Sequence, residues 1–456
     1  MKKGLVSLVL LLLFSANINS QVTTITDPLF EQELVLQHID SDQTVNGHVL
    51  TQDLALVTTF SIDVNYVNNL DGLEAFVNLE NLEIFGVTYI YSINLSQNTH
   101  LKKFKLYNSN ITNINFNNNV LLENIFIANN TITNINIDNC TAMNSLILLD
   151  CPITYINLVN NLALKVLFFH KIGLLTIDIS QNINLEELYL YQLGTPFTIF
   201  PYFSVDSNIK LKKLAIALVY FETINLSNNL LLEELDLGAN GLLEIDVSAN
   251  VLLNRLKVDN NHLTTIDVSN LPLLNNFSCP NNNIANLFFN NNPLLEILIC
   301  NNSGVQNLRI QNGNNSLLNG VITLNGVDYN RFSAIGNPNL KCIYIDDIAN
   351  CNANWLGKDS TTNFVTTLSE CNLLNNNQFN KNSISIYPNP FQEFVFLENF
   401  NKSKITDVSI YDVNGQKVFN EKQNFQKLDL SNLSDGFYLI KIITDSETFY
   451  RKIIKN

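Results

Sequence analysis

Any chemistry in this 456-residue chain would have to come from five histidines, seven cysteines and a thin scatter of carboxylates. A zinc or hydrolytic site needs two or three such groups to converge, and paired spacings usually announce it. His38, His48, His100, His170 and His262 stand far apart, with no nucleophile motif and no phosphate-cradling glycine loop beside them. Asp40-Ser41-Asp42 with Asn46-Gly47 has a faint likeness to a calcium loop. It lacks the closing bidentate glutamate and the glycine at the required place, so a polar turn is expected. The sequence predicts no enzyme, no metal and no cofactor. Its net charge of −15 argues against nucleic acid as a partner.

What positions every other residue is a repeat. From Leu82 to Leu298, eleven units open on an apolar residue at 21-residue intervals, apart from steps of 22 and 26. In nine of them the first, third and eleventh positions are always apolar. At 46% hydrophobic content, chance would give that with a probability on the order of 10⁻⁹. A period this short holds one strand and one return segment, so no unit buries its apolar side alone and stability must come from stacking.

The clearest copies run Leu235-Asp236-Leu237 through Ile245-Asp246-Val247-Ser248, and Leu256-Lys257-Val258 through Ile266-Asp267-Val268-Ser269. They resemble leucine-rich repeats, specifically the internalin-like type of bacterial surface proteins. That resemblance implies a mainly β solenoid of about 11–12 coils over residues 60–341. The strand-side asparagine of the pattern stands at Asn130, Asn240, Asn261 and Asn282, but Ile172, Leu193 and Val219 replace it mid-array, so those coils should be bent or differently closed.

The two ends differ in kind. Met1-Lys2-Lys3 followed by a short apolar run to Phe14 has the shape of a signal peptide covering residues 1–20, with no cysteine near the cut to suggest a lipoprotein. No other stretch is apolar enough to cross a bilayer. After an Asn-rich linker at 372–382, residues 383–456 alternate apolar and polar in short runs, with Asn414-Gly415 between two of them as a hairpin signal. A small Ig-like β-sandwich is expected there. Tyr387-Pro388-Asn389-Pro390, Gly415 in Val413–Val418, and Gly436 with Tyr438 in Leu428–Tyr438 occur in the order seen in C-terminal sorting domains of type IX secretion substrates of Bacteroidota, which this segment resembles. The resemblance implies the type IX machinery as a partner and a product that is secreted, extracellular or attached to the outer face of the outer membrane.

A solenoid needs caps. In residues 21–59, Asp27 suits a helix N-cap and Pro28 the first helical position, with Leu29, Phe30, Leu34 and Ile39 available to face the first coil. Residues 342–371 resemble the closing cap of such arrays, which implies a Cys342–Cys371 disulfide with Cys351 as competitor and Trp355 in the cap core. Cys279 and Cys300 take the inward third position of successive units and read as buried thiols; Cys140 and Cys151 fall where other units carry turn asparagines.

If the first and third positions point inward, the second and fourth face the concave side, where equal positions repeat about every 4.8 Å. Mid-array these ladders turn apolar and aromatic: Phe126, Ile147, Phe168 and Tyr189 beside Tyr107, Leu149, His170 and Tyr191. Lys103 and Lys105 flank them on one side, and Glu187, Glu234 and Asp236 on the other. An apolar centre with a charged rim is the layout of a site for a protein or polysaccharide ligand. The competing expectation is a structural spacer or stalk without a ligand. The aromatic insert Gly194–Phe203 is either packed over its neighbours or a protruding contact element.

Overall fold

The structure, a computed structural model, describes residues 21–86, 89–194, 203–324, 326–374, 384–399, 404–445 and 448–456. The expected signal peptide, most of the expected linker and most of the aromatic insert lie outside the described residues. Among those residues no helix is long and apolar enough to cross a membrane. The chain divides into two compact units, Met1–Asn182 and Ile183–Asn456.

The first unit opens with the strand Val22–Thr24, antiparallel to His48–Leu50, around the helix Pro28–Leu36. Asp27 caps that helix, accepting from the backbone N–H of Leu29 and Phe30. Phe30 and Leu34 are buried as expected of a cap, but Leu29 is exposed and Ile39 only half-buried. Glu31 takes the buried place instead, its carboxylate accepting from the N–H groups of Asn46, Gly47 and His48. The Asp40–Gly47 stretch is a turn in which Asp42 accepts from Thr44 and Asn46. Gly72, at φ +104°, begins the lead into the coils; a Cβ there would lie 2.2 Å from the Ile25 side chain.

Six parallel strands follow: Thr59–Asp63, Asn81–Phe85, Lys103–Ser109, Asn124–Asn130, Ser145–Cys151 and Val166–Ile172. Leu82 pairs with Phe104, Phe104 with Ile125, Ile125 with Leu146 and Leu146 with Leu167, so the unit openings stand in register. Thr59–Asp63 is a coil that precedes the first unit legible in the sequence.

In the second unit seven strands form the corresponding ladder, from Glu187–Tyr191 through Lys213–Ala217, Glu234–Asp236, Arg255–Lys257, Asn276–Ser278 and Ile297–Ile299 to Phe332–Ser333. The last pairs with Ile297–Ile299 across an intervening hairpin, Val321–Leu324 with Val327–Asn330, which hides that coil from a 21-residue count. On the return side a second parallel sheet joins Asn286–Phe288, Asn307–Ile310, Cys342–Ile345 and Asn363–Val365. There Trp355 is buried, stacked on Phe332 at 4.5 Å and donating its indole N–H to Asn319.

Backbone groups in the turns are satisfied by side chains from neighbouring coils. Asn119 Nδ2 donates to the carbonyls of Leu95 and Asn98, one coil back, and Asn161, Asn250 and Asn292 repeat the arrangement. Cys140 occupies one rung of this buried column without an amide to offer. Left-handed backbone recurs at one repeat position of successive coils, at Asn108, Asn129, Asp150 and Lys171 in the first unit and at Ala239, Asn260, Asn281 and Asn302 in the second.

Residues from Ile384 onward form the expected sandwich: a sheet of Ile384–Tyr387, Phe394–Asn399 and Lys427–Asp429 faces one of Lys417–Glu421, Ile405–Tyr411, Gly436–Thr444 and Thr448–Lys455. Val395, Val408, Ile440 and Ile453 are fully buried between them.

Candidate functional site

In the first unit the strands present one face to the coil interior and the other outward. Phe104, Leu106, Ile125 and Ile127 are buried, while the intervening Lys105, Tyr107 and Phe126 are not. Strand register then builds two outward rows. Lys105 pairs with Phe126, Phe126 with Ile147 and Ile147 with Phe168; alongside, Tyr107 pairs with Ala128, Ala128 with Leu149 and Leu149 with His170. Residues scattered through the sequence are thereby cross-strand neighbours, about 4.8 Å apart.

Each of Tyr107, Phe126, Ile147, Leu149, Phe168 and His170 is half-buried. Ala128, at 7% exposure, leaves a recess between Tyr107 and Leu149. Phe85, absent from the expected site, extends the row by stacking on Tyr107 at 5.5 Å, with the rings 7° from parallel. The phenol of Tyr107 donates to Glu83 at 2.8 Å, and this carboxylate raises its pKa. At the other end Asp150 lies 3.5 Å from His170 and 3.4 Å from Lys171. Asp150 sits at a left-handed bend, φ +51°, which the repeat pattern could have flagged as a turn position but not as a charge beside the patch.

In the second unit Tyr189 and Tyr191 are also half-buried, and pair in register with Ala215 and Ala217. Burial, then the hydrogen bond to Glu187, pushes the Tyr189 phenol well above its usual range; burial also raises Tyr191. Beyond the alanines the outward positions turn polar. Asp236 pairs with Lys257 at 2.9 Å, Lys213 lies 3.6 Å from Glu187 and 3.7 Å from Glu234, and Arg255 lies 3.8 Å from Glu234. The rim carboxylates Glu187, Glu234 and Asp236 are thus already neutralised by cations of the same sheet.

Among the described residues no group of three His, Cys, Asp or Glu side chains is placed to hold a metal. Cys342 is bonded to Cys371. The other five cysteines are free and buried, and burial pushes Cys140, Cys300 and Cys351 up to about 12, Cys151 to about 11 and Cys279 well above its usual value. Such thiols stay protonated at neutral pH and are poor nucleophiles.

The motif residues near the C-terminus hold their own domain together. Asn389 donates to the Lys452 carbonyl and accepts from the Ile454 N–H, fastening the Tyr387–Pro390 segment to the final strand. Pro388 and Pro390 follow cis peptide bonds. Tyr438 donates to the Ser434 carbonyl at 2.6 Å, Gly436 adopts φ +149°, and Gly415 at φ +77° closes the hairpin after Tyr411.

Residues 385–456 match the family of secretion system C-terminal sorting domains. No curated protein matches the chain in sequence. In structure it is similar to the functional domain of InlJ from Listeria monocytogenes, which includes a cysteine ladder, with a TM-score of 0.50 at 15% identity over 96% of this chain and 99% of that one. It is also similar to the internalin InlF from Listeria monocytogenes, with a TM-score of 0.53 at 19% identity over 75% of this chain and 95% of that one. The chain is a leucine-rich-repeat solenoid of internalin-like fold carrying a type IX sorting domain, which sends it out of the cell to be secreted or attached at the surface.

Proposed function

We propose that this protein recognises a protein or glycan through the outward sheet face of its first unit, and performs no catalysis. The observation that carries the reading is a pair of adjoining apolar stretches on that face: Phe85 stacked on Tyr107 in one row, and Phe126 in register with Ile147 in the other. Large aromatics bury roughly 150–250 Å² each, and an apolar surface of this extent is costly to leave in water unless a partner covers it. Rows of rigid rings also suit either ligand class, since they stack on sugar faces and on apolar side chains alike. The free thiols, all buried and protonated, and the dispersed histidines offer no nucleophile–base pair.

The spacer or stalk reading draws on the second unit, where Asp236 and Lys257 neutralise each other beside Ala215 and Ser278. The two readings separate on immobilised polysaccharides and purified surface proteins probed with residues 21–456. Phe126→Asp with Phe168→Asp should lower capture at least tenfold with an unchanged melting curve. Unfolding would assign the rings to the core, and undiminished capture would end the recognition reading.

A further inference from the structure

The return-side sheet of the second unit carries a row of unlike residues. Phe288 pairs in register with Arg309, and Arg309 with Tyr344. Tyr344 is only 3% exposed although it belongs to an outer row, and the Arg309 guanidinium lies 4.1 Å from its ring centroid. Tyr344 is packed with Cys342, Val365 and Cys371 of the closing cap, while Arg309 and Phe288 are met by the sorting domain. Arg309 forms an ion pair with Glu398, and the two side chains are 12% and 16% exposed. Phe288 meets Tyr387 at 5.5 Å, and Tyr387 stacks on its cross-strand partner Phe396 at 5.8 Å.

Two features distinguish this contact from casual packing. Its centre combines aromatic rings with one arginine in a largely desolvated ion pair, as at the energetic centre of protein interfaces. The contact is also matched row to row: neighbours Phe288 and Arg309 on one sheet meet Tyr387 and Glu398 on the other. Tyr387 belongs to the Tyr387–Pro390 motif, so this tyrosine has a role outside its own domain that the motif alone does not disclose. A cleft of about 700 Å³, with Asp267, Asn286 and Arg451 among its walls, runs beside the contact.

We propose that the repeat array is a docking receptor for its own sorting domain: the row Phe288, Arg309 and Tyr344 holds the face formed by Tyr387, Phe396 and Glu398, so that severing the chain between them leaves the two parts associated. The covalent link is then not what keeps the domain in place. Release requires a competitor for the Arg309 row or a step that breaks the Arg309–Glu398 pair.

The test places a specific protease site within residues 375–383 of the mature chain, cleaves it, and follows both fragments by size-exclusion chromatography at micromolar concentration. The wild-type fragments should co-elute. Glu398→Arg should separate them, and Arg309→Glu combined with Glu398→Arg should restore co-elution, since the charges are exchanged but the geometry is kept. Wild-type fragments that part at once, or co-elution indifferent to Glu398→Arg, would overturn the proposal. Should Glu398→Arg unfold the sandwich, the isosteric Glu398→Gln decides the matter: a fragment affinity at least tenfold weaker supports docking, and an unchanged affinity refutes it.

Discussion

On one repeat length the chain builds two kinds of coil. Lys103–Ser109, Asn124–Asn130, Ser145–Cys151 and Val166–Ile172 are seven-residue strands, whereas Glu234–Asp236, Arg255–Lys257, Asn276–Ser278 and Ile297–Ile299 are three-residue strands. The difference lies in who takes the carbonyls after the third strand residue. In the short coils a side-chain amide does so: Asn261 Nδ2 donates to Leu237 and Val258, while its Oδ1 accepts from Asn240, Gly241 and Leu242. In the long coils the backbone keeps pairing through that position, Asn130 with Ser109 and Ile172 with Cys151, and where it holds an asparagine the amide turns to its own strand, Asn130 Nδ2 donating to the Ala128 carbonyl. The expectation of differently closed coils thus acquires a cause at Ile172. A coil that closes with backbone pairing offers a longer outward strand, and the long coils are the ones that carry the apolar rows.

The largest expected effect comes from exchanging the two solutions. Asn261→Ala strips several buried backbone groups of partners at once and should cost about 3 kcal/mol or more in urea unfolding. Ile172→Asn should cost about 2–3 kcal/mol, because it puts a polar amide in place of a buried apolar side chain on a strand that already pairs with Cys151 through its backbone. A neutral Ile172→Asn would mean that a long coil can close in the short form, and the contrast between the two kinds would collapse.

A smaller effect probes what both kinds share. Lys171 holds left-handed backbone at φ +49° in a long coil, and Asn281 at φ +58° in a short one. Lys171→Gly should stabilise by about 0.5–1 kcal/mol through relief of that strain. Asn281→Gly should instead cost a few tenths (about 0.3 kcal/mol), since asparagine tolerates the conformation and donates to Asn260. Equal effects at the two sites would show that the bend is not set by backbone strain.

The smallest difference is visible only as a slope with pH. Asp259, outward on a short coil, is held above the usual aspartate range by burial, and its Oδ1 has no hydrogen-bond partner among the described residues. A raised acid favours the protonated folded state, so its contribution is complete below the ordinary value of 3.8 and is lost as pH rises through the folded value. Asp259→Asn should therefore match wild type in acid and exceed it in stability toward neutral pH. A gap that stays constant across urea titrations from about pH 3 to pH 7 would contradict this.

The inward ladder was legible because burial imposes a strict alternation, and Leu82, Phe104 and Ile125 announce their register by position alone. The outward apolar rows were legible for the same reason, once the strand period was known. Thr59–Asp63 and Phe332–Ser333 escaped the count: the first precedes the first recognisable opening, and a hairpin displaces the second from the 21-residue step. Leu29 is exposed against expectation because helical position says which residues share a face, not that Glu31 buries its carboxylate against three backbone donors.

The sequence by itself determined the period, the faces, the sandwich and the sorting motifs, since each follows from local alternation, turn chemistry or a contiguous pattern. Only the tertiary structure decided how exposed the aromatic row is, which carboxylates of the rim are already paired, and that Arg309 meets Glu398. Those depend on distances between residues with no fixed separation along the chain, and strand register and domain docking set such distances, not local preference.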